Sequence, residues 1–244
     1  MSSRFVSNRR EIKYLVSIDQ ADDLRRRLKD VLVADPHDGG QGYLNYSVYF
    51  DSPELTFYKE KIEGLATRMK PRLRTYRTTF DDAPAAIFLE FKLREQHFIA
   101  KERTVLEAAD AERLLTGDTV LDTSRTSGDA VIDKFAALAR KMDLRPCAGI
   151  VYHRTAFSCS IQPGLRITFD KKLQCTARCD LAPPAEAFSP IEPFDRAVVE
   201  LKYDAQPPEW ILNVTAQMGL QQLSYSKYAS GVERVHKIGR ATVS

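Results

Sequence analysis

The feature that most constrains this chain is a two-residue alternation of ions and hydrocarbons, repeated in strand after strand. In RMKPRLRTYR, residues 68–77, an extended backbone places Arg68, Lys70, Arg72, Arg74 and Tyr76 on one face. Met69, Leu73 and Thr75 fall on the other, because successive side chains alternate. Residues 87–94 do the same, with Phe88, Glu90, Lys92 and Arg94 opposed to Ile87, Leu89, Phe91 and Leu93. Glu11 and Lys13 oppose Ile12, Tyr14 and Val16, while Glu200 and Lys202 oppose Val199, Leu201 and Tyr203. Lys101 and Arg103 share a parity, Arg154 shares one with Tyr152, and Arg166, Thr168 and Asp170 oppose Leu165, Ile167 and Phe169. Two architectures satisfy such strands. One is an open antiparallel sheet with a wet side. The other is a closed barrel whose apolar faces point outward under helices while the charged faces line a water-filled tunnel. The charged faces mix single carboxylates with several cations and are rich in Arg, which suits bidentate contact with phosphate and favours the tunnel.

The remaining chain fits one β-rich α+β domain over residues 1–244. A length of 244 residues suits one large β domain, and 43% hydrophobic residues supply a core. Strands are expected at 11–16, 45–51, 68–77, 86–94, 97–105, 147–160, 165–170, 173–180 and 196–203. Helices are expected at 20–33 (with Asp19 as cap), 55–63, 109–115, 129–142, 210–218 and 224–236. Strands that mostly follow one another imply antiparallel pairing. The net charge of only +3 makes the basic rows informative, since acids elsewhere must offset them. No apolar run approaches the ~20 residues of a membrane span, and MSSRFVSNRR lacks a signal-peptide core, so a cytoplasmic protein is expected. Cys147, Cys159, Cys175 and Cys179 form no CxxC pair and read as plain thiols.

A tunnel walled by Lys and Arg focuses its field on a multiply charged anion. Carboxylates among those cations make sense if a divalent metal, Mn²⁺ or Mg²⁺, joins them to phosphate oxygens. Together these are the parts of a phosphoryl-transfer site, where positioning and charge neutralisation dominate. No Ser-His-Asp or Cys-His arrangement is evident, and His97 and His153 read as surface or core residues. Nucleic-acid binding is disfavoured, because among the basic rows only Tyr76 offers a stacking surface.

Nine ordered segments resemble one family, the VTC domain of the CYTH-like triphosphate-tunnel superfamily. They are RREIKYLV (9–16), SVYFDSPELTFYKEKIEG (47–64), RLRTY (72–76), IFLEFK (87–92), AKERTVL (100–106), VYHRTAF (151–157), LRITFD (165–170), VVELKY (198–203) and LSYSKYASGVER (223–234). The resemblance implies an antiparallel β tunnel barrel with flanking helices. It implies a metal-dependent polyphosphate polymerase that moves the γ-phosphate of ATP onto inorganic polyphosphate or pyrophosphate. It also implies a residue set: Lys13, Lys61, Arg72, Arg74, Lys92, Lys101, Arg154, Arg166, Lys202 and Lys227 as the basic ligands. Of these, Arg72, Arg74, Lys92, Arg154 and Arg166 hold the nucleotide phosphates, and Glu200 is the metal carboxylate.

The chain departs from the family where TYRTTF replaces an aromatic-Gly pair and where YSK replaces FSK. The longer interval between Gly64 and Arg72 leaves Arg68 and Lys70 assignable to tunnel or rim. The regulatory domain and membrane segments of the eukaryotic complexes are not seen in this sequence. A stand-alone bacterial-type domain is therefore expected, with a membrane partner left open. Two further readings stay open: a triphosphatase, in which water takes the place of the chain end, and a non-catalytic polyphosphate-binding module. Glu200 is read either as the metal ligand or as an ion-pair partner. Glu11 and Glu90 are read as orienting tunnel cations.

Overall fold

The computed structural model describes residues 3–7, 9–36, 40–95, 98–118 and 128–238. Its centre is an 11-stranded antiparallel sheet. The strands are β1 (Ser3–Ser7), β2 (Arg9–Ser17), β3 (Leu32–Ala34), β4 (Tyr43–Asp51), β5 (Thr67–Arg77) and β6 (Ile87–Glu95). They continue with β7 (Phe98–Leu106), β8 (Arg145–Cys159), β9 (Arg166–Thr176), β10 (Ser189–Pro190) and β11 (Arg196–Asp204). Helices are α1 (Ile18–Arg27), α2 (Thr56–Ile62), α3 (Ala108–Leu115), α4 (Ala130–Met142), α5 (Glu209–Gln217) and α6 (Lys227–Val235).

The main path runs β1-β7-β6-β5-β4-β8-β9-β11-β2, with β3 added on β8 and β10 on β9. Its two edge strands, β1 and β2, are separated in the chain only by residue 8, yet β1 pairs with β7 and β2 with β11. One stretch of backbone thus draws opposite edges of the sheet together. Among the described residues no ladder joins β1 to β2, so the wall is curled into a tunnel by chain connectivity and not by a continuous ring of hydrogen bonds. An ion pair confirms the curl, since Lys92 of β6 reaches Glu11 of β2 at 3.2 Å.

The alternation seen in the sequence sorts the two faces. On the convex side, α1 and α5 cover β2, β9 and β11, with Leu24 and Ile211 packed among Ile12, Val199, Leu201 and Ile167. The helices α3 and α4 cover β5, β6 and β7, where Phe135 lies 5.0 Å from Phe50 and 6.3 Å from Phe91 between ring centroids. On the concave side the register places Arg72 opposite Glu90 and Tyr49, Arg154 opposite Asp170, and Glu200 between Thr168 and Lys13. No helix among the described residues is long and apolar enough to cross a membrane.

The sixth helix is the exception to the outer layer. Ile150 shares the concave face of β8 with Tyr152 and Arg154, and α6 packs directly on it. A Cβ at Gly231 would lie 2.5 Å from Ile150 Cδ1, so the absence of a side chain lets the helix approach this closely without displacing Ile150. Tyr228, Ala229 and Val232 of α6 bury against Ile150, Leu173 and Val198. The apolar helix face therefore closes one end of the tunnel. Asp51 ties it in place, accepting the backbone N–H groups of Ser52, Phe57 and Tyr58 and the Tyr228 hydroxyl.

Three expectations are corrected. The helix expected at 20–33 starts at Ile18 and stops at Arg27, because Ser17, not Asp19, caps it through a capping box with Gln20. Leu32 then turns into β3 opposite Cys159, so the apolar spacing of Val31 and Leu32 is satisfied by a strand. The two strands expected at 165–170 and 173–180 are one, β9, carrying Lys172 at φ +53° beside a register shift in β8. Residues Ser3–Ser7, where the sequence suggests no element, form β1.

Candidate functional site

The concave wall encloses two connected cavities. The inner one, here called the chamber, has a volume of about 110 Å³. Eight cations and a single carboxylate, Glu200, are among its lining residues. The outer one, the vestibule, has a volume of about 610 Å³. Lys61, Arg68 and Arg94 line only the vestibule, while Lys13, Lys70, Lys92 and Ser226 line both.

Buried acids organise the chamber cations. Glu90 is fully buried and accepts two hydrogen bonds from Arg72, Nε at 3.0 Å and Nη2 at 2.8 Å. Lys101 reaches its other oxygen at 2.5 Å, and Arg74 lies 3.7 Å away. Burial acts to raise the Glu90 pKa, but Arg72, Arg74 and Lys101 outweigh it and hold the carboxyl well below the usual range. Asp170, also fully buried, receives Arg154 in a bidentate fork, Nε and Nη2 each at 2.6 Å. Lys227 bridges Asp170 at 2.6 Å and Glu200 at 2.7 Å. Burial again opposes ionisation of Glu200, and Lys227, Lys202, Lys13 and Arg154 reverse it. Isolated, each of these buried charges would be costly; paired, they make a rigid and predominantly cationic surface.

Aromatic groups complete the wall. The Tyr152 ring lies beneath Arg154 at 5.1 Å and Lys227 at 5.0 Å. The Tyr49 hydroxyl accepts from Arg72 Nη1 at 3.1 Å, and the Ser47 hydroxyl accepts from Arg74 Nε at 3.1 Å. These contacts fix the guanidinium planes before any ligand arrives.

Of the residues expected from the sequence, Lys13, Arg72, Arg74, Lys92, Arg154, Glu200, Lys202 and Lys227 all line the chamber. Lys61 lines the vestibule instead. Lys101 stands behind Glu90 and lines neither cavity, so it positions the carboxylate. Arg166 shares the concave parity opposite Lys202, but its guanidinium pairs with Asp35, its side chain is 40% exposed and it lines neither cavity. In this structure it therefore stands at the rim, outside both cavities. Glu11 and Glu90 orient cations as expected, Glu11 taking Lys13 and Lys92 at 3.2 Å each. His97 lies outside the described residues.

Sequence reasoning missed three contributors. Asp170 carried the right parity beside Arg166, but its partner Arg154 is set by register. Lys70, assignable from sequence to tunnel or rim, stands at the junction of the two cavities. Ser226 caps α6 through the Ala229 N–H and accepts from Lys70 at 3.0 Å.

Among the described residues no three His, Cys, Asp or Glu side chains converge to hold an ion unaided. Glu200 Oε1 meets Lys227, and Oε2 meets Lys202 at 3.1 Å and Arg154 at 3.5 Å. A Mg²⁺- or Mn²⁺-type ion needs only one or two carboxylates when phosphate oxygens and water complete its shell. The described residues thus form no cage for an ion, and a metal here would need phosphate oxygens and water besides Glu200, whose two oxygens already face Lys227, Lys202 and Arg154.

Comparison with known proteins agrees with this geometry. The chain is 25% identical over 223 residues to vacuolar transporter chaperone complex subunit 4 of Trypanosoma brucei brucei; the match covers 78% of this chain and 28% of that protein. The chain therefore spans less than a third of that relative's length. Its fold is similar to that of a putative adenylate cyclase from Bacillus halodurans, with a TM-score of 0.53 at 13% identity, over 91% of this chain and 95% of the other. The family model described as the VTC domain matches residues 8–236, and the chain belongs to the VTC domain family.

Proposed function

We propose that this protein is a polyphosphate polymerase that transfers the γ-phosphate of ATP to the end of an inorganic polyphosphate or pyrophosphate chain. The observation that carries this reading is the chamber lining: eight cations to one carboxylate, most of them fixed in place by buried acids behind them. Such a surface is complementary to a run of phosphates, and its donors are preorganised where charge spreads in the transition state. Arg72, Arg74, Lys92 and Arg154 bind and orient the nucleotide phosphates. Lys202 and Lys227 flank Glu200 and neutralise charge on the transferred group. A terminal oxygen of the acceptor chain forms the new bond to the γ-phosphorus while the β–γ bridging bond breaks, and ADP leaves with the bridging oxygen. Glu200 is the residue that would hold a divalent metal, which would supply further charge neutralisation.

One incubation tests the reading. Purified protein, ATP, Mn²⁺ and a pyrophosphate primer are resolved for ADP, free phosphate and polymer. Polymer in step with ADP is expected. Free phosphate without polymer would make the protein a triphosphatase, and neither product would leave a phosphate-binding module. Arg74→Ala and Glu200→Gln are each expected to abolish turnover in a folded protein; wild-type rates in both would remove the chamber from the chemistry.

A further inference from the structure

Lys70 differs from every other cation of the chamber lining. Lys13, Lys92, Arg72, Arg74, Arg154, Lys202 and Lys227 each meet a carboxylate. Among the described residues Lys70 has none. Its ammonium donates only to the Ser226 hydroxyl at 3.0 Å and lies 5.3 Å from the Tyr228 ring centroid. It lines both cavities, at the passage from one to the other.

We propose that Lys70 is an anion-binding residue at this passage, holding the part of a linear inorganic polyphosphate that extends from the chamber into the vestibule. The proposal rests on the reading of the chamber as a phosphate-chain site and adds the path of the chain beyond it. An unpaired cation in a confined place is costly unless a ligand supplies the counter-charge. The groups facing Lys70 deepen that cost: Lys13 from β2, Lys61 from α2, Lys92 from β6 and Arg68 on its own strand. Burial, then these neighbours, push its pKa well below the ordinary lysine range. A phosphate oxygen at the passage reverses both effects. On the vestibule side, Lys61 and Arg68 likewise lack a carboxylate ion pair among the described residues, so the cationic track continues outward from Lys70.

Calorimetric titration in metal-free buffer separates this role from a structural one, using tripolyphosphate and a long linear polyphosphate as probes. Lys70→Met is expected to weaken binding of the long chain by roughly 10-fold or more, the loss of one charge-assisted contact, and to weaken tripolyphosphate much less. Lys70→Arg is expected to retain the long-chain affinity. Wild type is also expected to take up protons on binding the long chain, and Lys70→Met to take up fewer. Should Lys70→Met fail to fold, Lys70→Gln carries the same comparison. Equal losses for both probes, or none, would overturn the assignment of Lys70 while leaving the chamber reading intact. Failure of wild type to bind either probe would overturn both.

Discussion

The chamber and the vestibule are both basic, and they are built in opposite ways. In the chamber nearly every cation has an acid behind it: Glu90 holds Arg72 and Lys101, Asp170 holds Arg154 and Lys227, and Glu11 holds Lys13 and Lys92. In the vestibule Lys61 and Arg68 form no carboxylate ion pair among the described residues, and burial with neighbouring cations depresses their pKa values in spite of Glu233 and Glu60 nearby. Preorganisation therefore belongs to the chamber and unspent attraction to the vestibule. An interior that must place phosphorus to within a fraction of an ångström needs fixed guanidinium planes. An entrance or exit that only has to guide a chain needs charge, and rigid geometry there would hinder passage.

The largest test of this contrast is Glu90→Gln. It strands Arg72 and Arg74 in the chamber and Lys101 behind it, and is expected to cost about 3–5 kcal/mol in denaturant unfolding, with added tripolyphosphate recovering part of the loss. An unchanged midpoint would show that the acids are not what holds the chamber cations. The same residue gives a pH signature. Its folded pKa lies below the ordinary 4.5, so its stabilisation is complete above that pH and disappears as pH falls toward the lowered value. Thermal melts from neutral to strongly acidic pH should therefore show a loss in wild type that is reduced in Glu90→Gln.

Gly231→Ala comes next. The methyl group would press on Ile150, and an overpacking cost of about 1–3 kcal/mol is expected without any change of charge. Phosphate binding should weaken with it if the helix sets the chamber end, because Lys227 begins that helix. Binding unchanged at lower stability would divorce the plug from the site. The smallest effect on stability is expected for Lys61→Ala and Arg68→Ala, each within about 0.5 kcal/mol. Both should instead flatten the salt dependence of polyphosphate binding, measured as affinity against ionic strength.

Much of this was legible beforehand because a period of two is a strong local signal. The alternation in 68–77 and 87–94 assigned each side chain to a face, and eight of eleven expected site residues do line the chamber. Register was not legible. Nothing local says that Glu90 stands opposite Arg72, or that a shift between Val151 and His153 still leaves Arg154 facing Asp170. Arg166 shows the limit of parity: its face is right, but Asp35 from a distant loop captures it at the rim. Lys70 shows the converse, since the lack of an acid near it is a property of all the segments that surround it and of no single one. The helix expected to run to residue 33 failed because Leu28, Val31 and Leu32 keep a helical spacing by coincidence, while β8 offers Leu32 a partner.

The pairing of β1 with β7 and β2 with β11 also has a cost in time. Residues 3–17 emerge from the ribosome before every strand they pair with, and β11 is made only after the other strands of the sheet. Until then the wall is a half-rolled sheet with open edges and charged residues still in water. Contacts this distant in sequence form slowly, and exposed strand edges invite association with other chains. The pairing of β2 with β11 therefore waits until residues 196–204 have been made, and until then that edge of the wall stays open.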